Sequence, residues 1–437
     1  MKQLSFKRLV LIVMIVFVIG TVTGCTTAEN DAGSADPNKI ITAEYTTMMK
    51  TVDQYPLQYN SYNQYRVKEN SPYHAFGHLA LKDKLLAPVV RNGNELITDS
   101  DKNFAISGFY FDETIGQWVV SEDKYGAVAA NVFKQGCFSC KSSQFNQVYK
   151  DNGAEIFTQD LTDDFVKIIN GQVWDCAICH GDEPGNEPDA HLTYWTQLAR
   201  DTYDKFDSSE RVCGQCHNSL DYRSHITDQK TMDGFSPYKY GTDIDSLYKA
   251  AIEDGIGNTD KDTGIVLSCL DHPDIEFTQN SPMRKMGVTC VSCHMTESTD
   301  QKSSTTYTSH NASGSPLENE DAMKYCLTCH KPRGIDSPEE MVKMVQDLQS
   351  KTAAEEKVLQ DKFTKSYDLI KAANSNGNVD KAVLQKARDD YALAEAYFHA
   401  VVGSAELGVK VAHNPTATAK YNAQTGQLLD GIIAALK

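Results

Sequence analysis

The stretch QGCFSCK, residues Gln135 to Lys141, sets two cysteines three apart and closes on a lysine. Four more Cys-x-x-Cys pairs follow, and each closes on a histidine: CAICH (Cys176, Cys179, His180), CGQCH (Cys213, Cys216, His217), CVSCH (Cys290, Cys293, His294) and CLTCH (Cys326, Cys329, His330). With Cys137 and Cys140 these pairs use ten of the twelve cysteines and leave Cys25 and Cys269. A chance Cys-x-x-Cys-His is expected in roughly 1% of chains of this composition, so four are a pattern.

The spacing carries a chemistry. Two thiols on neighbouring positions of a turn clamp a porphyrin edge through thioethers, and the next residue sits beneath the iron as its axial ligand. Structural zinc would combine two such pairs and needs no histidine after each. Disulfides would leave the histidines unexplained. Five covalently bound c-type haems are therefore predicted. Lysine must be neutral to bind iron, so its pKa has to be depressed by the metal and by burial. Haems that only pass electrons are usually held on both faces, whereas a catalytic haem keeps one face open. QGCFSCK thus marks one haem apart from four, the alternative being a decayed haem site.

The 437 residues carry a net charge of −17. That acidity argues against nucleic acid as a partner and against broad binding to anionic lipid, but a local positive pocket can still receive a small anion. Residues 1–25 combine Lys2, Lys7 and Arg8 with an apolar run from Leu9 to Ile19 and end in Val22-Thr23-Gly24-Cys25. The run is too short to span a bilayer and reads as an export signal. Its end resembles a bacterial lipoprotein signal in which Cys25 becomes the lipidated first residue; an ordinary cleaved signal and an uncleaved anchor are the alternatives. Residues 26–45 form a small, polar tether. The expected location is outside the cell membrane, lipid-anchored to its outer face or periplasmic.

The fold class predicted is mainly α: a multihaem cytochrome c with a loop-rich haem core, residues 46–335, and a long C-terminal helical hairpin, residues 336–437. Between the motifs only short helical pieces show, as at 189–206 and 243–255, and no sustained two-residue alternation calls for a large sheet. A helix start at Ser337-Pro-Glu-Glu opens a run over 338–373. Asn374 to Gly377 breaks it, and a second helix is predicted over 379–412. Apolar positions at three- and four-residue spacing suit packing on the haem domain, a homodimer interface, or both.

One Cys-x-x-Cys-Lys followed by four Cys-x-x-Cys-His resembles the ammonia-forming cytochrome c nitrite reductase family, over about residues 70–415. Supporting pieces are Gly77-His78, DHPD at 271–274, GVTCVSCHM at 287–295, TSHNASGSP at 308–316 and AHNP at 412–415, the last read as ending the final helix. The resemblance implies reduction of nitrite to ammonium by six electrons at the lysine haem, with four relay haems fed by a membrane multihaem quinol dehydrogenase. It implies Lys141 as proximal ligand of the catalytic haem and His180, His217, His294 and His330 as those of the relay haems. His78 becomes the distal ligand for the haem of Cys213 and Cys216, His310 for that of Cys176 and Cys179, and His413 for that of Cys290 and Cys293. His272 matches the distal catalytic histidine, an imidazole able to hydrogen-bond nitrite and deliver protons.

The chain departs from the family's pattern at four places. The family's tyrosine after the third motif, with its calcium-binding glutamate, is shifted here to Tyr222 and Asp221. Its arginine before the lysine motif is absent, leaving Lys124, Lys134 or Arg223 to supply positive charge to an anionic transition state. Its Lys-x-Gln-His calcium stretch reads Cys269-Leu-Asp271-His272, so Asp221 and Asp271 are the oxygens left to hold calcium, and Cys269 is a packed or a functional thiol. Finally, Met283 stands where the family has a histidine seven residues before the fourth motif. A thioether is a legitimate axial ligand; His74, His191, His225 and His399 are the alternatives. Hydroxylamine or sulfite reduction, and electron carriage without catalysis, stay open beside nitrite reduction.

Overall fold

A computed structural model of the chain describes residues 53–69, 109–112, 117–120 and, apart from a few short stretches, 134–437. Cys25, His78, Asp221, Cys269, Asp271 and His272 lie outside the described residues, as do His74 and Lys124. The described residues all belong to one compact unit, Ile40–Lys437.

Helices dominate, and their ends are written in the sequence. Helix α1 (Ser208–Gly214) starts at Asp207, which accepts from Glu210 N at 3.0 Å while its own N–H donates to Glu210 Oε2 at 3.1 Å. That reciprocal pair satisfies two of the donors a helix start leaves bare. Helix α2 (Ile244–Glu253), inside the predicted 243–255 piece, is capped by Asp243 and buries Ile244, Leu247, Ala250 and Ala251 on one face. Helices α3 (Asp274–Thr278) and α4 (Cys290–His294) are single turns, and α5 (Glu320–His330) carries the fifth motif at its end. In 189–206 the prediction divides: an α-helix over Thr193–Ala199 passes into a 3-10 turn over Arg200–Lys205.

The long helix α6 runs Pro338–Asn376 from a Ser337 cap, with proline in its first turn, and stops at left-handed Gly377. The second long helix is shorter than predicted. Helix α7 spans Lys381–Val402 and ends at Gly403, φ 57°. After it comes a 3-10 turn, Val409–Ala412, and then a third long helix, α8 (Pro415–Leu436). The hairpin is thus two arms of a three-helix assembly in which α8 packs on both α6 and α7. The reversal depends on Gly408, φ 79°, where a Cβ would stand 2.1 Å from the Gln349 carbonyl oxygen. Consequently His413 does not end a helix but lies in the turn that leads into α8, whose cap is Asn414.

Aromatic side chains fill the core. Phe363 meets Tyr391 and Phe398 edge-on, both at 5.3 Å, between α6 and α7. A second belt, with Phe138–Phe165 at 5.4 Å and Phe145–Phe157 at 5.5 Å, lies around the first motif. Phe138, Phe145, Phe157 and Trp195 are all essentially buried, each contributing roughly 2–3 kcal/mol of apolar burial. A smaller cluster of Ala322, Met323, Met341 and Val345 joins α5 to α6. Strands among the described residues form only three two-stranded antiparallel ribbons: β1 (Phe109–Asp112) with β2 (Gln117–Val120), β3 (Asn258–Thr259) with β4 (Val266–Leu267), and β5 (Glu297–Thr299) with β6 (Thr306–Thr308). No helix among the described residues is long and apolar enough to cross a membrane.

Candidate haem-binding site

Each motif folds as a helical turn. His180 N donates to Cys176 O at 3.0 Å and His217 N to Cys213 O at 2.9 Å. In a turn, positions three and four apart share a face, so both cysteines and the following residue look the same way. Motif 1 is a tighter 3-10 turn, Gln135–Cys140, with Lys141 as its cap. It is pinned by Gln135 N to Gln159 O at 2.9 Å, and Gly136 is required because a Cβ there would meet Phe157 O at 2.5 Å. The Lys141 side chain is buried.

The imidazoles show whether these turns fit a metalloporphyrin. Two rings sharing one iron each stand about 2 Å from it, with roughly 1 Å more from nitrogen to ring centre, so their centres fall about 6 Å apart. His294 and His413 lie 6.2 Å apart, 8° from parallel, and His180 and His310 lie 6.1 Å apart at 24°. The resemblance implied these same two pairs. The second ring nitrogens are held as a ligand needs. Nδ1 of His180 donates to Asn186 O at 2.9 Å, that of His294 to Ala312 O at 3.2 Å, and that of His310 to Thr308 O at 2.9 Å. With the proton on Nδ1, Nε2 is left as the ligating atom. Burial pushes the His294 imidazole down to about 4 and also lowers His310 and His413, keeping all three neutral, the form that binds metal.

The motifs form a chain in space. Cys216 Sγ stands 3.0 Å from Cys140 O, linking the first and third motifs. Cys213 and Cys290 are similarly in contact, linking the third to the fourth. Helix α4 packs on α5, bringing the fourth to the fifth.

Around motif 1 the structure separates the candidate cations. Lys134 is engaged with Asp160 in an exposed ion pair. Arg223 instead reaches the motif: its Nη1 stands 3.7 Å from Cys140 Sγ, and its guanidinium carbon 5.9 Å from the Tyr194 ring centre. Tyr222, next to it in sequence, turns the other way. It is 1% exposed and packs edge-on to Phe235 at 5.2 Å, its hydroxyl has no hydrogen-bond partner among the described residues, and burial pushes its pKa far up.

The core also holds an acid that the sequence reading missed. Glu276 is 2% exposed and accepts from Tyr238 OH at 2.7 Å and from Ser219 N and Oγ at 3.2 Å; burial raises its carboxyl to about 7. Its place two residues after the DHPD piece was the available signal. Asp274 and Lys410 were likewise missed. Met283 is half-buried in the one-turn helix Pro282–Lys285. Of its alternatives, His225 has both ring nitrogens engaged, by Ser224 and Gly257, and His399 lies buried beside Glu395. His191 packs over Gly181, directly after the second motif, with Nε2 buried and without a hydrogen-bond partner among the described residues.

Helical Cys-x-x-Cys turns and parallel imidazoles one iron apart define a multihaem c-type cytochrome. A family model described as cytochrome c552 matches residues 116–427, and the chain belongs to that family. It is 33% identical over 129 residues to a cytochrome c-552 of Haemophilus ducreyi, covering 29% of this chain and 24% of that one. It is 24% identical over 315 residues to the cytochrome c nitrite reductase subunit NrfA of Nitratidesulfovibrio vulgaris, covering 67% of this chain and 58% of that one. The matches thus span less than two thirds of either relative. Among solved structures, the cytochrome c nitrite reductase catalytic subunit NrfA from Desulfovibrio desulfuricans, described with two calcium sites, superposes with a TM-score of 0.62 at 16% identity, covering 92% of this chain and 87% of that one. That likeness is one of fold.

Proposed function

We propose that the chain is an exported five-haem enzyme reducing nitrite to ammonium by six electrons at the QGCFSCK motif. The observation that carries the reading is the contrast between motifs. Two of the histidine motifs have a second imidazole one iron away, while the first motif offers a buried amine, Lys141, with Arg223 beside its cysteine. The haems, when bound, supply the electron storage and transfer that side chains cannot.

The protein's own groups do the rest. Lys141 anchors the catalytic haem from its proximal side. Arg223 attracts and orients the anion and balances negative charge as it builds up. His272 donates protons, which the conversion of nitrite to ammonium and two waters consumes along with the electrons. His180, His217, His294 and His330, together with His78, His310, His413 and Met283, would hold the relay haems. Asp221 and Asp271 are the oxygens for a calcium ion. Cys25 anchors the chain by lipid beside a membrane quinol dehydrogenase, and the helices after residue 336 form a homodimer contact.

Steady-state reduction with a reduced dye, offered nitrite, hydroxylamine or sulfite, tests this. Expected is nitrite consumption with stoichiometric ammonium, and a large loss of turnover in Lys141→His at unchanged haem content. Preference for sulfite supports a different reductase on the same scaffold. Absence of turnover with all three, together with no spectral response to nitrite, leaves an electron carrier.

A further inference from the structure

His217 differs from His180 and His294 in what holds its second ring nitrogen. His180 and His294 have neutral backbone carbonyls there. The Nδ1 of His217 meets a carboxylate, Asp274 Oδ2, at 2.9 Å. The other oxygen of that carboxylate, Oδ1, is ion-paired with Lys410 Nζ at 2.6 Å, and the Lys410 side chain is only 5% exposed. Its ammonium also stands 5.2 Å from the Phe277 ring centre, in the same helix α3 that Asp274 begins. Lys410 comes from the turn that presents His413, and Cys216 of the same motif touches Cys140. The carboxylate-bound histidine therefore belongs to the motif packed against QGCFSCK.

We propose that Asp274 sets the reduction potential of the haem at Cys213 and Cys216, with Lys410 limiting its effect. A carboxylate accepting the Nδ1 proton makes the imidazole a more basic ligand than a carbonyl does. A more basic axial ligand favours ferric iron and so lowers the potential. Charge assistance strengthens such a bond, and the buried ammonium on the opposite oxygen draws part of the carboxylate's charge away. The relay member next to the lysine haem is thereby made the stronger reductant. Asp274 acts through His217 and is a positioning residue. The inference rests on the reading that the motifs carry a haem relay serving the lysine site.

The test uses the full haem-loaded protein and its Asp274→Asn and Lys410→Met variants. Haem content is counted by pyridine haemochrome, and midpoint potentials are resolved by spectroelectrochemical titration followed by magnetic resonance. Asp274→Asn should move one low-spin haem to a more positive potential, and by more than any other. Lys410→Met should move that same haem to a more negative potential. Unchanged potentials in both overturn the proposal, and so do shifts of the same sign, which would mark a general loosening. Should Asp274→Asn not fold, the sign of the Lys410→Met shift decides alone. Wild-type protein that holds its haems but never turns over nitrite sinks the functional reading separately, because the potentials are measured without substrate.

Discussion

The imidazoles of His294 and His413 lie 8° from parallel with centres 6.2 Å apart, although one ends helix α4 and the other precedes α8. That separation of ring centres is the one expected of two imidazoles sharing a single iron. Replacing His413 with alanine should therefore turn one low-spin haem high-spin at unchanged haem content. Electron paramagnetic resonance reads this directly, and an unaltered low-spin population means that His413 caps no iron.

Arg223 is the cation that the fold brings to the lysine motif. A charge-assisted hydrogen bond to an anion is worth about 1.5–3 kcal/mol, or about 10–150-fold. Arg223→Leu should lower kcat/KM for nitrite by about that factor. Arg223→Lys should recover part of it, because charge is kept and the forked donor geometry is lost. Equal kinetics for the wild type and the leucine variant would remove Arg223 from substrate handling.

Glu276 makes stability depend on pH. Burial raises its carboxyl from the ordinary 4.5 to about 7, so between those values the folded chain holds a proton that the unfolded chain has released. Its protonation favours the fold fully below about pH 4.5, and that advantage is lost as pH rises to about 7. The span corresponds to about 3 kcal/mol. Glu356, which accepts from Gly408 N at 2.6 Å and is also raised to about 7 by burial, adds with the same sign. Glu276→Gln should flatten the profile of urea midpoint against pH between 5 and 8. A profile as steep as wild type assigns the dependence elsewhere.

Gly408 links stability to the placement of His413. At φ 79°, with a Cβ aimed 2.1 Å from Gln349 O, Gly408→Ala should cost at least about 2 kcal/mol through backbone strain and displacement. Because the turn it opens presents His413, the variant should also broaden the low-spin signal of that haem. Urea denaturation read with the same spectroscopy checks both effects, and a stable variant with intact signals would show that the turn tolerates a side chain.

Some of this was legible because it is local. A Cys-x-x-Cys turn closes within five residues, so the motif alone states which atoms face the porphyrin. Ser337 announced a helix start for the same reason, since a cap hydrogen bond spans three residues. The 379–412 helix was read too long because Ala, Leu and Tyr continue a helical pattern up to a glycine whose φ the sequence does not display. Tyr222 and Arg223 are adjacent letters, yet one faces Phe235 and the other Cys140. Nothing in their order says which turns where.

The sequence by itself determined the cofactor class, the turns that carry the cysteine pairs and the helical character, because each depends on spacing within one or two turns. The tertiary structure alone decided that Arg223 rather than Lys134 stands by Cys140, and that Asp274 joins His217 to Lys410. Those relationships link residues brought together only when apolar helices bury against one another, and their distances follow from packing rather than from position in the chain.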